Sequence, residues 1–121
     1  MTKKKELVTE NDVKDVVKQW YDVRGAWSYA PIQNGFGVVG IHDRVGCVPV
    51  TITPEMVGQR VGAFVSIECK RPGRRKEKDR GMSPHQARHL REIVAAAGAS
   101  IVCDGQEDLD LLERAYPWLT S

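Results

Sequence analysis

The chain has 121 residues, 41% of them hydrophobic, with 18 Lys and Arg against 16 Asp and Glu and a formal net charge of +2. That length carries one hydrophobic core, so a single domain over residues 1–121 is expected, and the mild charge does not by itself point to nucleic acid. No run reaches the roughly 18 apolar residues of a membrane span, and no apolar stretch follows Met1-Thr2-Lys3-Lys4-Lys5, so a cytoplasmic protein with neither anchor nor secretory signal is expected.

Residues 10–23 carry Val13, Val16, Val17 and Trp20 at helical spacing, with Thr9 as N-cap and Gly25 as terminator. A short strand follows over 27–30, and the glycine-rich stretch 31–40 is a loop or hairpin bend. Residues 44–53 are rich in β-branched side chains and read as a strand interrupted by Pro49. Thr53-Pro54-Glu55-Met56 is a turn or a single helical turn, with proline where a helix start accepts it. The clearest strand is 61–70. Period-two alternation puts Phe64, Ser66, Glu68 and Lys70 on one face and Ala63, Val65, Ile67 and Cys69 on the other.

Pro72-Gly73 ends that strand and opens an exposed loop over 71–82. Ser83-Pro84-His85-Gln86 starts a helix, with Ser as N-cap, Pro at the first position and Gln at the third, running to about Ala97 before Gly98. A short buried strand spans 99–103 and a last helix 107–115. Helix, three strands, helix, strand, helix describes a small α/β domain with a mixed sheet flanked by helices. Cys47, Cys69 and Cys103 are odd in number, widely spaced and set in apolar segments, which reads as reduced core thiols and not as a disulfide framework or zinc cluster. Trp20, Trp27 and Trp118 read as core or interface aromatics.

The chemistry-bearing residues gather at segment ends. Asp43 closes one apolar segment, Glu68-Cys69-Lys70 closes the next, and Arg71, Arg74, Arg75, Lys76, Lys78 and Arg80 follow. Two carboxylates on neighbouring strand ends, with the Cys69 carbonyl as a further oxygen, suit Mg2+ or Mn2+. Lys70 would then steady an attacking hydroxide, and the basic loop would grip the backbone of a polyanion such as DNA. Each part also has a plain reading. Asp43 serves as a turn residue, Glu-x-Lys as a solvated strand face, and the basic run as a solvated loop diluted by Glu77 and Asp79. His85 and His89, four apart on one helix, lack the frame of a zinc site. No Walker loop, dinucleotide fingerprint or serine elbow occurs, so no nucleotide cofactor is expected.

Gly40-Ile41-His42-Asp43, then Ile67-Glu68-Cys69-Lys70, then Ser83-Pro84-His85-Gln86 followed by Gly98, resembles the VRR-NUC (virus-type replication-repair nuclease) branch of the PD-(D/E)xK superfamily. The resemblance rests on motif order and spacing, and His42 stands where that family usually has proline. It implies a restriction-endonuclease-like core with Asp43, Glu68 and Lys70 at the metal site. It adds Gln86 as a helix-borne partner, although Ser83 and Gln86 also make a capping box by themselves. It adds Glu10 as a first-helix acid, with Asp12 and Asp15 close enough to compete. The activity implied is a metal-dependent DNA endonuclease acting as a homodimer on branched DNA such as four-way junctions. A non-catalytic DNA-binding scaffold is the alternative, and an α/β structural protein with accidental motifs is a third.

Overall fold

The structure is a computed structural model, and it describes residues 6–32, 40 and 42–120. The basic start at Met1–Lys5, the glycine-rich loop over 33–39 and Ile41 of the Gly40–Asp43 motif lie outside the described residues. Two compact units make up the chain, Met1–Thr51 and Ile52–Ser121.

The first unit holds helix α1 (Glu10–Asp22) and the antiparallel pair β1 (Trp27–Tyr29) and β2 (Val45–Cys47). The helix starts where its caps dictate. Thr9 accepts from the Asp12 amide, and the Asp12 carboxylate accepts in return from the amides of Val8 and Thr9. Gly46 is required by close packing: a Cβ there would lie 2.6 Å from the Trp27 carbonyl and 2.8 Å from the Tyr21 ring. The apolar stripe of α1 is not buried, however. Val13, Val16, Val17 and Trp20 are 38–47% exposed, so this helix rests on capping and on pairs such as Lys18–Asp22 at 2.7 Å. Arg24 stacks over the Trp20 ring at 3.8 Å. Trp20 is thus no core residue, and neither is Trp118 at 55% exposure.

The second unit is built on the parallel pair β3 (Val65–Cys69) and β4 (Ala99–Cys103), joined by helix α2 (Pro84–Ala95) and followed by helix α3 (Gln106–Ala115). Its core is Ala87 and Ile93 of α2, Ala96, Ala99 and Val102 around β4, and Leu112 of α3. α2 begins with the reciprocal Ser83–Gln86 capping box and Pro84 at its first position. It ends with Ala97 at φ 69° and the Gly98 amide donating to the Ile93 carbonyl at 2.9 Å. β3 begins at Val65 and not at 61, because its partner begins opposite, at Ala99. Alternation along β3 is as expected. Ser66 and Glu68 are half-buried, while Val65, Ile67 and Cys69 face outward. The protein is of the α/β class, and its described strands form two two-stranded sheets where one mixed sheet was expected.

Candidate nucleic-acid interface

The C-terminal ends of β3 and β4 position two polar clusters. In the first, Glu68 and Lys70 project to one side of β3, as period two requires. Lys70 also extends the ladder, its amide donating to the Cys103 carbonyl at 2.8 Å. Gln86, in the first turn of α2, meets both side chains. Its Nε2 donates to Glu68 Oε1 at 2.7 Å, and its Oε1 accepts from Lys70 Nζ at 3.1 Å and from the Ser83 amide at 2.9 Å. Only one orientation of the amide satisfies this set, since a flip would aim NH2 at an ammonium and a carbonyl at a carboxylate. Glu68 and Lys70 themselves pair at 3.6 Å. Gln86 is therefore both the helix cap and the bridge of the cluster, two roles that the sequence offered as alternatives.

The second cluster centres on Arg75 in the loop after β3. Its Nε and Nη2 form a fork on Asp104 Oδ1 at 2.8 and 2.6 Å, and its own amide donates to Asp104 Oδ2 at 3.0 Å. It also reaches Asp108 and Glu107, both at 3.1 Å. Asp108 accepts from the Asp104 amide at 3.0 Å, and Arg80 lies 3.6 Å from its other oxygen. Asp104 and Asp108 are buried. The Arg75 guanidinium and amide hold the Asp104 carboxyl well below the usual carboxylate range, and Asp104 in turn pushes the guanidinium further up. These acids were missed in the sequence. The available signal was Asp104-Gly105-x-x-Asp108 at the start of a helix, with no side-chain cap at Gly105.

The six loop cations thus divide. Arg75 and Arg80 are turned to the acids at the start of α3, and Arg74 pairs with Glu77 and donates to the Gly81 carbonyl at 3.2 Å. Arg71, Lys76 and Lys78 are exposed. They form the part of the loop open to a polyanion.

Two of the expected site residues come from the first unit. Asp43 sits exposed on the bend before β2, and Glu10 in the first turn of α1, exposed and 4.0 Å from Lys14; both belong to the first unit. His85 and His89 are exposed on α2, and His89 lies 3.7 Å from Glu92. Among the described residues no group of three or more His, Cys, Asp or Glu is placed to hold a metal ion. Within the second unit, Glu68 offers a single carboxylate whose Oε1 is taken by Gln86 and faces an ammonium. A divalent cation held there would draw its remaining oxygens from water or from a bound phosphate.

The chain is 34% identical over 79 residues to small ribosomal subunit protein uS19 of Dehalococcoides mccartyi strain 195, a match covering 64% of this chain and 80% of that protein. The uS19 proteins of strains BAV1 and CBDB1 are 33% identical over the same length and shares. The chain belongs to the uS19 family. A matched stretch of that length takes in β2 through β3 wherever it begins. No protein-family model matches the chain, and no solved structure does.

Membership of the uS19 family overturns the expectation of a VRR-NUC nuclease. The VRR-NUC resemblance finds no matching family model, whereas the uS19 relatives match most of their own length. These relatives are named as components of the small ribosomal subunit and not as nucleases or other enzymes. The expectations of an endonuclease, of branched DNA as substrate and of a homodimer stood on that resemblance and fall with it. No helix of the described chain is long and apolar enough to cross a membrane.

Proposed function

We propose that this chain is a non-enzymatic RNA-binding protein of the cytoplasm that associates with the small ribosomal subunit through the RNA backbone. The observation that carries the proposal is the 34% identity to uS19 across 80% of that protein. The loop after β3 supports it chemically. Arg71, Lys76 and Lys78 are exposed, while the Arg75 cluster braces the backbone that presents them. A braced cation loses less freedom on meeting a phosphate than one on a loose loop, so more of its charge attraction appears as affinity.

In this proposal Glu68 and Gln86 hold the Lys70 ammonium in place beside the loop. A Mg2+ or Mn2+ ion at Glu68 and the Cys69 carbonyl is proposed only together with RNA, whose phosphate oxygens would complete its ligands. Titration with Mn2+, with and without RNA, checks this; Mn2+ binding that is indifferent to RNA would remove it.

The test of the function is binding of ribosomal RNA across a salt series, with Arg71→Ala, Lys76→Ala and Lys78→Ala combined. Each phosphate contact removed should lower the log–log salt slope by about 1. A triple variant with unchanged affinity and slope would refute the assigned interface.

A further inference from the structure

Only Cys47 among the three cysteines is buried. Cys69 is exposed and Cys103 half-buried, and none of the three is in a disulfide. Strand pairing brings the last two together. Cys69 and Cys103 are register partners in the β3–β4 ladder, each the last residue of its strand, and partners in a parallel ladder share a face. Neighbouring strands run about 4.8 Å apart, inside the roughly 4.4–6.8 Å window of Cα separations that a disulfide accepts. The Lys70 amide on the Cys103 carbonyl at 2.8 Å keeps the two strand ends paired just beyond the cysteines.

We infer that Cys69 and Cys103 form a redox-active dithiol, closed to a cross-strand disulfide by a small-molecule disulfide. This inference goes beyond the proposed function and does not rest on it. Exposure orders the two steps. The Cys69 thiolate attacks the oxidant RSSR, forming a protein–SR mixed disulfide and expelling RS−. The Cys103 thiolate then attacks Cys69 Sγ, forming the Cys69–Cys103 bond and expelling the second RS−. In sum, two protein thiols and RSSR give one protein disulfide and two RSH. Cys103 is the resolving residue because its thiol is half-buried and donates to the Gly105 carbonyl at 3.3 Å. Cys47 stays out of the exchange: it is buried, and burial pushes its thiol up.

The test is treatment of the full native chain with oxidised glutathione, read by intact mass, counting of alkylatable thiols, and peptide mapping without reduction. The expected product has lost two hydrogens and two of its three thiols, carries no glutathione, and yields a linked Cys69–Cys103 peptide. Cys103→Ser should stop at a glutathione adduct on Cys69, and Cys69→Ser should react far more slowly than wild type. Wild type that halts as the Cys69 adduct, or that links Cys69 only between chains, would overturn the inference. So would equal reaction rates of the two serine variants. The wild-type peptide map decides the matter even if a variant folds poorly.

Discussion

Two clusters at the ends of the same strand pair use the same charge chemistry to opposite effect. Around Arg75, one guanidinium is matched to acids that are 4–8% exposed at Asp104 and Asp108, and the donors and acceptors nearly all face one another. Around Gln86, one glutamate, one lysine and one amide meet at a half-open site, with Glu68 side-chain exposure at 37%. The difference lies in solvent access. Buried carboxylates make Arg75 a clasp between the basic loop and α3, because losing one partner strands the others in a poor solvent for charge. The Gln86 cluster can exchange its contacts for water at little cost, so it positions side chains more than it stabilises the fold.

The sharpest way to break this contrast is to remove one member of each. Asp108→Ala should destabilise the protein by about 3 kcal/mol, the low end for breaking a buried charged pair, read as a lower urea midpoint with unchanged slope. Arg75→Ala should act in the same direction, and the basic loop should become the first site of proteolysis. Acidification should separate the clusters next. The folded Asp104 carboxyl titrates below its unfolded value of about 3.9. Its contribution is therefore complete above that pH and is lost as pH falls towards the folded value. Unfolding free energy measured from pH 6 to pH 2 should fall more steeply for wild type than for Asp104→Asn. Gln86→Ala should cost about 1 kcal/mol, chiefly through the lost cap contact. Smallest of all, Arg71→Ala, Lys76→Ala and Lys78→Ala should each leave stability within about 0.5 kcal/mol, with their effect confined to RNA affinity. A large loss of stability in any of the three would show that the exposed half of the loop is a clasp too.

Local signals account for what the sequence disclosed. Ser83-Pro84-His85-Gln86 announces α2 because capping and the proline at the first position act within one turn. Gly98 separates α2 from β4, and β4 spans 99–103 as its apolar run predicts. Period two placed Glu68 and Lys70 together. What depends on partners was hidden. β3 is shorter than its alternating pattern over 61–70 suggests because β4 sets the ladder. The Arg75 clasp joins residues 29 and 33 positions apart, and nothing local marks that match. Cys69 and Cys103 looked like isolated core thiols until register paired them. Family was the largest miss. Ordered short motifs pointed to a nuclease, whereas membership came from identity spread over 79 residues.

The most direct measurement is co-sedimentation of the native chain with purified small ribosomal subunits, scored for bound protein and for intact RNA. The account predicts saturable binding that high salt and the Arg71, Lys76 and Lys78 substitutions weaken, with the RNA uncut. No binding at low salt would contradict it. So would Mg2+-dependent cleavage of nucleic acid that disappears in Lys70→Ala, since that would make Glu68 and Lys70 chemical groups and not positioning ones.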